Sequence, residues 1–252
     1  MIELEEHGAV TLMRMARGKG NALDHEFLGQ LTDALETVEQ GPTRAVVITG
    51  QGSVFGAGVD LPAIVDGGAE YIRRFFGRMV HAFERLATFP KPLVAAVNGH
   101  AIAGGAIIML ACDQRLLARG TARVGLTEIQ VGVLFPAWAL EIARFATPSA
   151  HFPTLILTGR TWQPDQALAR GLVDELVEPE QLLDRALEVA AELGTVPTAT
   201  FSATKRQVRA PLLEAVQRAT EADLDADVVE HWCLAETQSR IAEFAARHIK
   251  RS

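Results

Sequence analysis

Several common signatures are absent or scarce in this chain of 252 residues, and each absence narrows the class of protein. There are two cysteines, Cys112 and Cys233, far apart in the sequence. Such a pair forms neither a disulfide framework nor a metal-binding spacing, so we interpret both as free thiols in a reducing compartment. The seven histidines show no HxxxH or HExxH spacing, so the sequence predicts no metal site.

Long apolar runs and an excess of basic charge are also lacking. No run reaches the roughly 18 residues of a membrane helix, and the segment MIELEEHG lacks the pattern of a signal peptide. The net charge of −7 argues against a broad nucleic-acid interface, which requires a basic surface. We therefore expect a cytoplasmic protein that binds neither nucleic acid nor membranes.

Two enzyme classes are disfavoured by missing motifs. The chain has no Gly-x-Ser-x-Gly motif, which α/β-hydrolases use for their nucleophile. The loop TGQGSVFGAG resembles a dinucleotide-binding loop, but its acid, Asp60, follows at once instead of about 20 residues later. The single tyrosine, Tyr71, is followed four residues later by Phe75 rather than by lysine, which disfavours a short-chain dehydrogenase.

Hydrophobic periodicity predicts an α/β fold with an internal repeat. Apolar runs predict a first short strand at Val10–Met15 and buried strands at Ala45–Thr49 and Leu93–Val97. Apolar residues at helical spacing predict helices at Leu23–Gln40 and from about residue 69 to residue 87. The order of strand, glycine-rich turn and helix thus occurs twice, and corresponding loops of such repeats come close together.

The rest of the chain is predicted to be mainly helical. We expect helices at Gln163–Arg170 and Leu182–Leu193, with a short strand at Val173–Val177 between them. We divide the chain into a core of residues 1–194 and a helical region of residues 195–252 that packs on the core or on a neighbouring subunit.

The two glycine-rich turns are the first candidate functional elements. One contains Ala57, Gly58 and Val59, and the other contains Gly104 and opens an apolar helix that has no side-chain cap. Close packing of a helix on a strand would account for either turn alone. Together they can present two backbone N–H groups to an oxyanion, and we expect Gly58 and Gly104 to lie side by side.

Glu128 lies downstream, within GLTEIQVG, among apolar residues. Most glutamates are exposed, but burial in such surroundings would raise the pKa of this carboxyl and suit it to take up and return a proton. One carboxylate beside an oxyanion site predicts enolate chemistry on a thioester.

With these residues the chain resembles the crotonase, or enoyl-CoA hydratase/isomerase, superfamily. The resemblance covers nearly the whole chain and rests on FGAGVDL, on VNGHAIAGG followed by ACDQRL, on VGLTEIQVG and on TGRTWQPDQALARGLVDELV. It implies an α/β fold, a spiral of ββα repeats with a helical C-terminal region, and a homotrimer or dimer of trimers assembled through that region. It also implies an acyl-CoA thioester substrate and no separate cofactor, because coenzyme A is part of the substrate.

One departure from the family pattern indicates the subclass. Family hydratases carry two glutamates; Glu128 matches the later one, and Ile107 stands at the position of the earlier one. One carboxylate suffices to move a double bond, and GLTEIQVGVLFPAW is similar to the Δ3,Δ2-enoyl-CoA isomerases. The resemblance therefore implies a 3-enoyl-CoA isomerase of fatty acid β-oxidation. A 2-enoyl-CoA hydratase and an acyl-CoA-binding protein of low activity are the alternatives.

The resemblance also implies roles for individual residues. Glu128 is expected to shuttle the proton, while the backbone N–H groups of Val59 and Gly104 hold the thioester oxygen. Ile107 is expected to line an apolar acyl pocket, and Asp60 to stabilise its loop. The residues expected to contact the substrate or its CoA moiety are Arg17, Lys19, Gly56, Ala57, Gly58, Asp60, Ile107 and Phe135.

Overall fold

The computed structural model of the chain describes residues 1–248, which form strands and helices in alternation. The strands are β1 (Ile2–His7), β2 (Val10–Met15), β3 (Ala45–Gly50), β4 (Val54–Gly56), β5 (Leu93–Val97), β6 (His100–Ile102), β7 (Gln114–Ala118), β8 (Val124–Gly125), β9 (Thr161–Trp162) and β10 (Glu175–Val177). The helices are α1 (His25–Gln40), α2 (Leu61–Thr88), α3 (Gly104–Ala111), α4 (Glu128–Val131), α5 (Ala137–Ala146), α6 (Phe152–Thr158), α7 (Pro164–Ala169), α8 (Leu182–Leu193), α9 (Thr198–Val208), α10 (Ala210–Glu221), α11 (Leu224–Cys233) and α12 (Ala235–His248).

The strands form two sheets. The larger has the order β1-β2-β3-β5-β7-β10 and is parallel from β2 onwards, and the smaller has the order β4-β6-β8-β9. A strand of the larger sheet, a short strand of the smaller sheet and a helix follow one another in β3–β4–α2, in β5–β6–α3 and in β7–β8–α4. This order confirms the predicted ββα repeat.

The central strands β3 and β5 are buried along their whole length. Val46 and Ile48 face the main core, whereas Ala45 and Val47 face a second apolar layer to which Ala186 of α8 belongs. Alternate residues therefore meet different neighbours, but both sets of neighbours are apolar. This explains the uninterrupted apolar runs in the sequence.

Most predicted boundaries agree with the structure to within two residues, and the main differences concern β1, α2 and β10. The first strand is β1, an exposed edge strand that pairs antiparallel with β2 and shows little apolar alternation. Helix α2 begins at Leu61 rather than near residue 69, because Asp60 caps it and Gly68, at a φ of 58°, joins two helical stretches. The strand predicted at Val173–Val177 begins at Glu175.

The C-terminal region is helical, as predicted, from α9 to α12; of the predicted range, residues 249–252 lie outside the described residues. Buried ion pairs attach it to the core, since the Asp113 carboxylate lies 2.7 Å from Lys205 Nζ and 2.8 Å from Arg209 Nη2. Its role in trimerisation stays a prediction. Among residues 1–248, no helix has both the length and the apolar composition needed to cross a bilayer.

Candidate active site

A cavity of about 890 Å³ opens between the two glycine turns, α4 and the C-terminal helices. Ala57 and Val59 line it from the first turn, and Ala103 lines it from the second. Glu128 lines the cavity from α4, and Phe244 lines it from α12. The repeat therefore brings the two turns to one site, and the C-terminal helices help to enclose it.

The two turns touch through their backbones. A Cβ built on Gly58 would lie 2.8 Å from the Cβ of Ala103 and 3.5 Å from the amide nitrogen of Gly104. Gly58 also has a φ of 88°, a conformation that side chains of L-residues rarely adopt. The prediction that Gly58 and Gly104 lie side by side is confirmed.

The backbone N–H of Val59 makes no hydrogen bond with a described residue. The reason is that the residues before and after Val59 use the opposite edge of the backbone to bind Leu23. Leu23 N donates to Gly58 O at 2.8 Å, and Asp60 N donates to Leu23 O at 2.9 Å. In this parallel bridge between Leu23 and Val59, successive N–H groups point in opposite directions. Val59 N therefore points away from Leu23, and it has no acceptor within residues 1–248.

Gly104, the first residue of α3, provides a second backbone N–H that has no acceptor among residues 1–248. The preceding residue, Ala103, has a φ of 50°, and its side chain makes no capping hydrogen bond. Ala103 itself is fixed, because its N–H donates to Gly125 O at 2.9 Å and its carbonyl accepts from Ile107 N at 3.0 Å. The positive end of the α3 dipole is therefore available to a carbonyl or an oxyanion.

Glu128 is the first residue of α4, and its carboxylate is more buried than the residue as a whole. Although Glu128 is partly exposed, Oε2 is inaccessible to solvent and has no hydrogen-bond partner within residues 1–248. Burial raises the pKa of Glu128 to about 8, and the nearby backbone N–H groups of Thr127 and Glu128 offset only part of that effect. Such a carboxyl can both accept and return a proton near neutral pH.

The charged residues at the rim of the cavity differ in whether their side chains already bind another residue. Arg17 pairs with Asp24 and lies 3.4 Å from a Glu26 oxygen, whereas Lys19 is exposed and makes no ion pair with a described residue. Asp60 accepts from Ala63 N at 3.0 Å, which fits the expectation that it stabilises its loop. Across residues 1–248, no group of three or more His, Cys, Asp or Glu side chains is arranged to hold a metal ion.

Five of the residues expected to contact substrate do not line this cavity. Gly104, whose N–H is expected to hold the thioester oxygen, is buried at the start of α3. Gly56 and Gly58 lie behind its wall, where their backbones pack on the second turn. Ile107 is fully buried in the core, and Phe135 is partly buried against that core. The contacts of Ile107 and Phe135 with an acyl chain therefore stay predictions.

No sequence motif predicted that Trp232, Phe244 and His248 line the cavity. They lie on α11 and α12, more than 100 residues after Glu128. Trp232 Nε1 donates to Leu134 O at 2.9 Å, and the rings of Phe244 and His248 stack with centroids 4.2 Å apart. Only the apolar residues at helical spacing could have suggested that these helices pack on the core.

Proteins of similar sequence and structure support the family resemblance seen in the sequence motifs. The sequence pattern of the enoyl-CoA hydratase/isomerase family matches residues 5–245. A Thermus thermophilus protein named "Putative enoyl-CoA hydratase" is 36% identical over 210 residues, which are 81% of this chain and 82% of that protein. Human mitochondrial enoyl-CoA delta isomerase 1 is 29% identical over 212 residues, 83% of this chain and 70% of that protein.

Among solved structures, human mitochondrial delta3-delta2-enoyl-CoA isomerase matches with a TM-score of 0.92 at 26% identity, covering 98% of this chain and 97% of that one. These names include both a hydratase and isomerases, and all of them refer to CoA thioesters. The family pattern spans nearly all of the described residues. The chain therefore belongs to the enoyl-CoA hydratase/isomerase family, whose members act on acyl-CoA thioesters.

Proposed function

We propose that this protein is a Δ3,Δ2-enoyl-CoA isomerase that acts in the oxidation of unsaturated fatty acids. The observation that carries the proposal is the lone carboxylate of the site. Of the two acids among residues 1–248 that line the cavity, Asp60 is held as a helix cap, and Glu128 has a buried oxygen without a partner among those residues. The site therefore offers one acid/base group beside two free N–H groups, which is what moving a double bond requires.

The proposed reaction uses these groups in two proton transfers. The Glu128 carboxylate removes a proton from C2 of a 3-enoyl-CoA, and the electron pair moves onto the thioester oxygen to form a dienolate. The N–H groups of Val59 and Gly104 donate to that oxygen and stabilise its charge. Glu128 then returns the proton to C4, the double bond forms between C2 and C3, and no cofactor beyond the CoA of the substrate is needed.

The remaining predicted roles concern substrate binding and assembly. We propose that Lys19, and more weakly Arg17, contact CoA phosphates, because both line the cavity rim. Trp232 and Val133 contribute apolar surface suited to an acyl chain. A homotrimer or dimer of trimers and a cytoplasmic location remain part of this proposal.

The decisive experiment compares the wild type with Glu128→Gln on 3-enoyl-CoA and on 2-enoyl-CoA, with products followed by chromatography. We expect rapid formation of 2-trans-enoyl-CoA by the wild type and a loss of at least about 10³-fold in the variant, since general acid–base catalysis contributes about 10²–10⁴-fold. Glu214→Gln, at an exposed position on α10, is the matched control.

Each alternative function gives its own result in this assay. A hydratase would convert 2-enoyl-CoA to the 3-hydroxy product faster than it isomerises 3-enoyl-CoA. A binding protein would bind both thioesters tightly and turn over neither. Isomerisation that survives Glu128→Gln would overturn the proposed mechanism.

A further inference from the structure

The segment that carries Glu128 is only weakly stabilised by its own secondary structure. Helix α4 has four residues, and isolated helices this short are not stable in water. Val131 and Val133 pack into the main core, but Ile129 and Leu134, which flank them, are 42% and 44% exposed, so packing holds only one side of this segment. Contacts of its backbone with other parts of the fold therefore contribute to the position of Glu128.

Helix α11 supplies three groups that bind the backbone from the end of α4 to the first residue of α5. Trp232 Nε1 donates to Leu134 O at 2.9 Å, and His231 Nε2 lies 3.1 Å from Gly132 O. Asp225 Oδ1 accepts from Ala137 N, the first N–H of α5, at 2.8 Å. One helix thus binds this connection near its beginning, middle and end.

The connection is in turn bonded to the main chain of Glu128. Gly132 N and Val133 N donate to Glu128 O at 2.9 and 3.1 Å. Gly132 has a φ of 87°, and a Cβ on it would lie 2.9 Å from Nε of Arg240 on α12. A shift of this connection would therefore move the Glu128 main chain as well.

We propose that Asp225, His231 and Trp232 are positioning residues that set the place of the Glu128 carboxylate relative to the N–H groups of Val59 and Gly104. This inference rests on the proposed function, because it assumes that Glu128 moves the proton. The step is sensitive to position, since displacing a reacting group by about 1 Å can lower a rate by about 10²-fold. The C-terminal region thereby acts on catalysis through the backbone, in addition to enclosing the cavity.

Asp225 gives the cleaner test, because it does not line the cavity. We expect Asp225→Ala to lower kcat about tenfold with KM within about twofold of the wild type, since a misplaced base slows proton transfer without removing a substrate contact. Asp225→Asn keeps an acceptor oxygen for Ala137 N and should restore most of kcat. Asp227→Ala is the matched control, because Asp227 is also acidic and in the first turn of α11 but is exposed.

Trp232 tests the middle of the connection. Trp232→Phe keeps an aromatic ring and loses the N–H donor to Leu134 O, so we expect a similar loss in kcat. Trp162→Phe shortens another buried tryptophan and serves as its control. Amide hydrogen exchange of a peptide covering residues 126–136 gives a readout independent of activity and should be faster in Trp232→Phe and Asp225→Ala than in both controls.

The outcomes separate this inference from the proposed function. Loss of activity in Glu128→Gln with unchanged kcat in Asp225→Ala and Trp232→Phe would leave the isomerase mechanism standing and overturn the positioning role. Faster amide exchange without a change in kcat would also overturn the positioning role, because the reaction rate would then not depend on how firmly this segment is held. Activity retained by Glu128→Gln would overturn both.

Discussion

Gly56 and Gly105 lie back to back, with no room for a side chain between them. A Cβ built on Gly105 would lie 2.2 Å from the carbonyl oxygen of Gly56, and one built on Gly56 would lie 2.8 Å from the Cα of Gly105. These residues belong to β4 and α3, one from each glycine turn. Their contact requires the turns that carry Val59 and Gly104 to approach each other closely.

Gly105→Ala should therefore damage the site and the fold together. The new methyl group would push the two turns apart, and overpacking of this kind costs about 1–3 kcal/mol. We expect a lower free energy of unfolding in urea and a loss of the proposed isomerase activity larger than that loss of stability explains. Gly77→Ala is the control, because a Cβ there meets nothing within 4 Å. Equal activity of the two variants would show that the spacing of the turns is not critical.

The pH dependence of kcat/KM should report the ionisation of Glu128. Burial raises the pKa of Glu128 to about 8, and in the proposed reaction only the ionised carboxylate can remove a proton from C2. Because kcat/KM reflects groups of the free enzyme, it should rise about tenfold per pH unit below pH 8 and level off above it. Initial rates between pH 6 and 9.5 test this, and a flat profile over that range would contradict it.

Local sequence patterns predicted individual elements, but they did not predict the contacts between elements that are far apart in the chain. Strands β3 and β5, the two turns and Glu128 could be predicted because each depends on a short local pattern. The side of α3 that faces the site could not be predicted, because all eight residues of that helix are buried and the helix has no polar face. Trp232 reaches the cavity only through the packing of α11, which no local motif encodes.

Glu128→Gln should make the protein more stable at high pH. The pKa of this carboxyl is about 8 in the folded protein and about 4.5 in the unfolded chain, so the folded state binds more protons between these values. The free energy of unfolding of the wild type should therefore fall as the pH rises from about 4.5 to 8.

Replacing Glu128 by glutamine removes this loss of stability at high pH, because glutamine does not ionise. We expect a gain on the order of 5 kcal/mol at pH 8.5, since the two pKa values differ by about 3.5 units and each unit corresponds to about 1.4 kcal/mol, and little gain at pH 4.5. Urea unfolding at both pH values measures it, with Glu214→Gln as the exposed control. An equal difference at both pH values would mean that the effect does not come from ionisation.

Asp113→Ala should detach the C-terminal region from the core. Lys205 and Arg209 would remain as buried cations, and burial already lowers the pKa of Lys205 to about 8 despite the adjacent Asp113 carboxylate. Removing one partner from buried ion pairs typically costs about 3–5 kcal/mol. Glu178→Ala, which breaks an exposed pair with Arg119, should cost less than about 1 kcal/mol. Similar urea midpoints for the two variants would contradict the anchoring role.

Lys19→Ala should weaken binding of the CoA moiety without affecting the chemistry. Arg17 is engaged by Asp24 and Glu26, whereas Lys19 is exposed at the cavity rim and available to a phosphate. A hydrogen bond to a charged group contributes about 1.5–3 kcal/mol, so KM for 3-enoyl-CoA should rise about tenfold or more while kcat stays unchanged. Lys19→Arg should keep the wild-type KM. A pantetheine thioester, which lacks the nucleotide phosphates, should bind the wild type and Lys19→Ala equally well, and an equal loss for both substrates would show that Lys19 acts elsewhere.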